Sequence, residues 1–238
     1  MNVAALLTGR GNNTLKDKNV LQINGKPLLA YPATAAKHVS LIDHFYVSSD
    51  DKKILDAAAK LGYEKIIRPA ELATPTAKHI DAIYHALDVM KEKDGYVPDI
   101  LIVFLANSAT VKSDWIEEGI KEIMANPKIS AVVPVFQDQD HHPYRAKRLR
   151  EDGMLDTFFD FGDREISTNR QELEPCFFLC HNFWILNVEK SIYGEGGQKP
   201  WTFLGDNIKP IVVEECFDVH DLHDIERTKR WLEKNGIG

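Results

Sequence analysis

Short apolar runs alternate with longer amphipathic stretches along most of this chain. Val3 to Leu7 reads as a buried strand that opens into the loop Thr8-Gly9-Arg10-Gly11-Asn12-Asn13-Thr14-Leu15-Lys16-Asp17-Lys18-Asn19. Val20 to Ile23 is a short extended segment, and Asn24-Gly25 marks a turn. Pro27 suits the first turn of a helix through Leu28, Leu29, Ala35 and Ala36, with Pro32 marking a kink or a late start. Phe45 to Ser49 predicts a strand whose Ser-Ser-Asp-Asp tail caps a helix over Lys52 to Leu61, stopped by Gly62. Lys65 to Ile67 predicts a further strand. From about Ala77 to Lys93, Ile80, Ile83, Tyr84, Leu87 and Met90 fall at helical spacing. Ile100 to Leu105 is almost continuously apolar, as a strand buried on both faces should be. A helix from Ser113, as its cap, to Met124, strands at Ala131 to Phe136, Phe183 to Val188 and Ile208 to Val213, and a last helix from about Leu222 to Lys234 complete the series.

Strand and helix alternating at this pitch imply an α/β fold, a doubly wound and mostly parallel sheet. Ligands of such sheets sit beyond the C-terminal strand ends, where Arg10, Ser49-Asp50, Arg68 and Asn107-Ser108 fall. The rhythm breaks between about residues 137 and 176, so residues 1–238 read as one α/β domain carrying an insertion with its own small sheet. A chain of 238 residues can bury one sizeable core. Its net charge of −7 argues against wholesale nucleic-acid binding, which leaves a basic footprint. No apolar run is long enough to span a membrane and the N-terminus has no secretory pattern, so a cytoplasmic location is expected.

Clustered cations in an acidic chain point to a local anion site. The opening loop supplies Arg10, Lys16 and Lys18 beside two glycines, whose freedom of backbone angle can turn amides inward around a phosphate. Its spacing fits neither the Walker pattern nor the dinucleotide fingerprint. The same residues are also ordinary turn composition. Cys176, Cys180 and Cys216 do not form a secreted disulfide framework; among Phe177, Phe178, Leu179 and Phe183 the first two read as inert thiols in a buried strand. A zinc site on Cys176, Cys180 and His181 lacks a second paired cluster to complete it.

Five motifs in register resemble the N-acylneuraminate cytidylyltransferase family and its relatives for other nonulosonic and eight-carbon sugar acids. They are Ala5-Leu6-Leu7-Thr8-Gly9-Arg10-Gly11 with Lys18-Asn19-Val20 and Asn24-Gly25-Lys26-Pro27-Leu28; Arg68-Pro69-Ala70-Glu71-Leu72-Ala73 with Thr76; His141-His142-Pro143; Arg170-Gln171-x-Leu173; and Asp218-Val219-His220-Asp221 with Asp224. The resemblance implies a nucleotide-diphospho-sugar transferase-like, Rossmann-type fold with a dimerisation insert. It implies transfer of CMP from CTP to the anomeric hydroxyl of an α-keto sugar acid for surface glycan synthesis, by a homodimer. Arg10, Lys18 and Asp218 would be catalytic. Thr8, Gly9, Gly11, Asn12, Asn13, Lys16, Asn19, Arg68, Thr76 and His79 would join Arg10 and Lys18 in binding the nucleotide. Asn107, Arg145, Arg170 and Gln171 would hold the sugar acid, with Arg170 reaching the neighbouring protomer's site. Asp218 and His220 would bind magnesium, or another divalent metal. Two residues keep a second reading: Arg68 as an ion pair with Glu71, and Asp218 with Asp221 as caps of the last helix.

The chain departs from the family pattern in several places. The opening loop is one residue shorter and lacks the usual Ser-Lys, and His220 replaces the second Asp of Asp-x-Asp. Ala106 replaces a glutamine, His79 a small hydroxyl residue, and Leu179 to Trp184 a segment lining the sugar pocket. The replaced sugar-pocket segment points to an acceptor other than ordinary sialic acid, and His79 leaves a change of base preference open, with CTP the default. The departures leave open a same-fold transferase for another nucleotide or sugar, and a non-catalytic nucleotide-sugar binding protein.

Overall fold

The structure, a computed structural model, describes residues 1–11 and 15–238. In chain order the elements are β1 (Val3–Thr8), β2 (Gln22–Ile23), β3 (Lys26–Pro27), α1 (Ala30–Lys37), β4 (His44–Ser49), α2 (Lys52–Ala59), β5 (Glu64–Ile67), α3 (His79–Asp94), β6 (Ile100–Leu105), α4 (Ser113–Ala125) and β7 (Ala131–Gln137). They continue with β8 (Lys147–Leu149), β9 (Leu155–Thr157), β10 (Phe177–Leu179), β11 (Phe183–Asn187), β12 (Ile208–Val212) and α5 (Leu222–Lys234). The central sheet runs β5-β4-β1-β6-β11-β7, with β12 along the far edge of β7 and β10 beside its C-terminal end. Its strands are parallel except β10 and β11.

Strand periodicity divides the core. Val3, Ala5 and Leu7 of β1 face a layer shared with α1, α2 and α4, while Ala4 and Leu6 face the opposite layer with Ile83, Leu87 and Met90 of α3. Each fully buried Val, Leu, Ile or Met side chain among these contributes roughly 1.5–3 kcal/mol. A third cluster joins Trp231 and Leu232 of α5 to Ile23, Leu28, Tyr31 and Val219, which brings the end of the chain against the opening loop.

Three local expectations are corrected. Pro27 does not open a helix: Asn24 and Gly25, at φ 50° and 79°, form a tight turn that pairs β2 with β3, and α1 starts late, with Pro32 in its first turn. Ser113 is not the cap of α4; Lys112 holds that place, and the Ser113 hydroxyl donates to Ala35 O at 2.9 Å, tying α4 to α1. Cys180 is not a thiol. It forms a disulfide with Cys216, which ties the β10–β11 turn to the segment before α5 and removes the imagined zinc ligand set.

Between β7 and β10 the chain leaves the sheet and forms the β8–β9 hairpin. Leu149, Leu155 and Phe158 stand 72%, 68% and 56% exposed there. Tyr144 packs edge-on against Phe159 and Phe161 at the base of this arm.

Candidate active site

β1, β4 and β6 end side by side, and the loops that leave them bound a cleft of about 350 Å³. Thr8, Gly9, Arg10, Lys18, Asn19, Arg68, His79, Asn107, Asp218 and His220 all line it. These ten residues, all singled out in the sequence, are brought together around one cavity. Thr74, Pro75 and Lys78, ahead of α3, also line it and were not foreseen. The signal was present: Lys78 precedes a helix start that no side chain caps, on a loop leaving a strand end.

The two glycines of the opening loop serve close approach rather than unusual backbone angles; neither has a positive φ. A Cβ on Gly9 would lie 3.0 Å from Ala106 Cβ and 3.1 Å from Asn19 Nδ2, and one on Gly11 would lie 2.8 Å from Asp51 Oδ2. Gly11 N donates to Asp50 Oδ1 at 3.0 Å, and Asn19, buried, donates from Nδ2 to Arg10 O at 3.2 Å. The path from Gly9 to Gly11 is therefore fixed from both sides. Arg10 donates from Nη1 to Thr74 O at 2.7 Å, which turns it across the cleft toward the segment before α3.

Arg68 is buried, with no carboxylate in ion-pair contact among the described residues. Its Nε and Nη2 donate to Ser48 Oγ at 3.2 Å and Ser48 O at 2.9 Å, so the Glu71 ion pair is replaced by hydrogen bonds to β4. Burial lowers its pKa to about 10, with Asp50 opposing and Arg10 reinforcing the shift. Lys18 is held by Val219 O at 3.0 Å; burial lowers its pKa and the neighbouring Asp218 raises it. Burial pushes Asp218 up to about 6, against the pull of Lys18 and of hydrogen bonds from Asn107 and Ser108. Asp221 caps α5 in a reciprocal box with Asp224, while Asp218 faces the cleft, so the two acids divide the roles that the sequence left joined.

Other expected residues lie elsewhere. Lys16 is exposed and does not line the cleft; Thr76 is exposed on the turn whose neighbours do. Asn12 and Asn13 lie outside the described residues. Arg145 and Arg170 sit in the insert and converge on the Asp140 carboxylate, Arg145 at 3.9 Å, with Gln171 exposed beside them. Within one chain they do not reach the cleft.

The donor set suits a hard divalent cation held by one carboxylate and by ligand oxygens. Among the described residues no group of three or more His, Cys, Asp or Glu side chains could hold a metal by protein ligands alone. Asp218, drawn out of water and anchored by Asn107, is the protein oxygen such an ion would meet.

The chain is 27% identical over 168 residues to an Escherichia coli N-acylneuraminate cytidylyltransferase, a match covering 70% of this chain and 38% of that protein's length. It is 24% identical over 241 residues to a Legionella pneumophila CMP-N,N'-diacetyllegionaminic acid synthase, covering 99% and 98% of the two chains. It is similar in fold to a CMP:2-keto-3-deoxy-manno-octonic acid synthetase solved with CTP, with a TM-score of 0.70, 14% identity and 99% and 100% coverage. The sequence pattern of the family described as Cytidylyltransferase matches residues 9–140, more than half of the chain. The chain belongs to the cytidylyltransferase family.

Proposed function

We propose that this protein transfers CMP from CTP to the anomeric hydroxyl of a nonulosonic, α-keto sugar acid in surface glycan synthesis, releasing pyrophosphate. The observation that carries the reading is the convergence of Arg10, Lys18, Arg68 and Lys78 with one carboxylate, Asp218, around a single cleft. The sugar oxygen bonds to the α-phosphorus as the bond to the β-phosphate oxygen breaks. Negative charge spreads over the α-phosphate and the departing pyrophosphate, so fixed cations facing those oxygens lower the barrier. Arg10 and Lys18 serve that role, each aimed by a backbone carbonyl. A magnesium ion, held by Asp218 with His220 nearby, would neutralise phosphate oxygens and lower the pKa of the attacking hydroxyl.

The insert pairs two protomers through Leu149, Leu155 and Phe158, an exposed apolar group that a water-facing surface does not need. Arg145 and Arg170, held on the same insert, then grip the sugar carboxylate in the neighbouring protomer's cleft. The protein works where CTP is available, in the cytoplasm; no helix among the described residues is long and apolar enough to cross a membrane.

The test is pyrophosphate release with CTP, UTP, GTP and ATP crossed against sialic, legionaminic, pseudaminic and eight-carbon keto sugar acids, with and without magnesium. Release is expected with CTP and one of these acids, and Arg10→Ala should lower kcat/KM roughly 10²–10³-fold. No release in any combination overturns the reading.

A further inference from the structure

His79 is the first residue of α3 and lines the cleft. Its Nε2 lies 3.0 Å from Thr8 Oγ1, and the same hydroxyl lies 3.0 Å from Phe104 O. A carbonyl oxygen can only accept, so the single hydroxyl proton of Thr8 goes to Phe104 O. The hydroxyl then accepts from His79, and Nε2 must carry the ring proton. Nδ1 is left with a bare lone pair. It has no hydrogen-bond partner among the described residues and is not sealed from solvent, and the residue that carries it lines the cleft. Trp184, with ring centroid 5.4 Å away, packs beside the imidazole and, with the Thr8 bond, keeps the ring from turning over. Burial and the nearby Arg68 charge lower its pKa to about 4, so it stays a neutral acceptor at ordinary pH.

We propose that His79 reads the nucleotide base, its unprotonated Nδ1 accepting from an exocyclic amino group as cytosine presents at its 4-position and rejecting the carbonyl oxygen that uracil presents there. The inference rests on the cleft being the nucleotide site. Arg68 completes the match. Two of its nitrogens are spent on Ser48, and Nη1 remains as a donor with no protein partner among the described residues. Cytosine offers an amino donor beside the acceptors N3 and O2, which an acceptor on His79 and a donor on Arg68 can engage together. Uracil reverses the polarity at the 4-position and sets two lone pairs against each other.

Two conservative substitutions separate reading the base from holding the fold. A glutamine amide nitrogen can replace Nε2 and keep the bond to Thr8, while no acceptor remains at the Nδ1 position. An asparagine oxygen can replace Nδ1 and lose the Thr8 bond. His79→Gln should therefore melt near the wild type and lose CTP over UTP discrimination by about 10–100-fold in kcat/KM. His79→Asn should keep the discrimination and melt lower. Calorimetry with CMP and UMP gives the same ratio without turnover, and ¹⁵N NMR should show an Nε2–H tautomer whose Nδ1 resonance moves when CMP binds but not when UMP does. A CTP-active wild type whose preference survives in His79→Gln, or an Nδ1–H tautomer in the free protein, overturns the assignment of His79 alone. A wild type that binds no nucleotide overturns the nucleotide reading of the cleft, and this inference with it.

Discussion

At the scale of single residues, the cleft holds two groups whose protonation is displaced in opposite senses. His79 titrates near pH 4 in the fold and near 6.5 in an unfolded chain. Its neutral form supports stability fully above pH 6.5, and that support is lost as pH falls toward 4, because the unfolded chain takes up the proton first. Asp218 runs the other way. Its folded pKa of about 6 exceeds the unfolded 3.8, so its contribution is full below pH 3.8 and lost as pH rises through 6. Between pH 4 and 6 the two trends partly cancel, and the wild-type acid limb alone is uninformative. The difference between His79→Gln and wild type, measured by urea unfolding without divalent cations, isolates the histidine. The variant should gain on the order of 3 kcal/mol relative to wild type between pH 7 and pH 4. Equal acid limbs for the two proteins would show that His79 is not desolvated.

At the scale of elements, the disulfide links the β10–β11 turn to the segment that carries Asp218 into the cleft. The β10–β11 turn leads into Asn182, whose Nδ2 donates to Thr110 O at 2.6 Å, and Cys216 stands just ahead of Phe217 and Asp218. The bridge closes a sequence separation of 36, for which chain-entropy arguments give roughly 2–4 kcal/mol of stabilisation. Protein purified without reductant should show one free thiol, Cys176, by mass spectrometry, and Cys180→Ser with Cys216→Ser should be less stable by that amount under the same conditions. Three reactive thiols before any reduction would mean the pair stands open, as a reducing cytoplasm favours.

These elements also show where sequence reasoning stops. The strands and helices were legible because their periods of two and 3.6 are local properties, and the strand-end rule placed Arg10, Arg68 and Asn107 at one site. That Pro27 lies in β3 rather than at a helix start was hidden by a two-residue turn whose hairpin partners are two residues long. Ser113 looked like a cap because its bond to Ala35 is a tertiary contact. Cys180 sits in an apolar run that reads equally well as a reduced core cysteine. His79 stood at a departure from the family pattern, but its role as an acceptor depends on Thr8 and Phe104, which only the folded sheet brings to it.

At the scale of the whole molecule, the insert is the part the core does not account for. Leu149 and Leu155 stand exposed on a two-stranded hairpin, and such a hairpin is marginal without a partner surface. Light scattering on the wild type should give about twice the chain mass of 27.0 kDa, and Leu149→Asp with Leu155→Asp should give 27.0 kDa with the thermal transition of the core retained. If Arg145 and Arg170 act across that interface, the monomer should also lose sugar-acid turnover while CTP binding remains. A wild type that runs as a monomer sinks the paired arrangement.

The bond from Lys18 to Val219 spans 201 positions of sequence. During synthesis the opening loop leaves the ribosome long before the carbonyl that aims its lysine exists. The strands that follow can pair while the protein is still tethered, but the Lys18 end of the cleft waits for residues 217–221. A nascent chain therefore lacks the carbonyl that holds Lys18 until Val219 has been added.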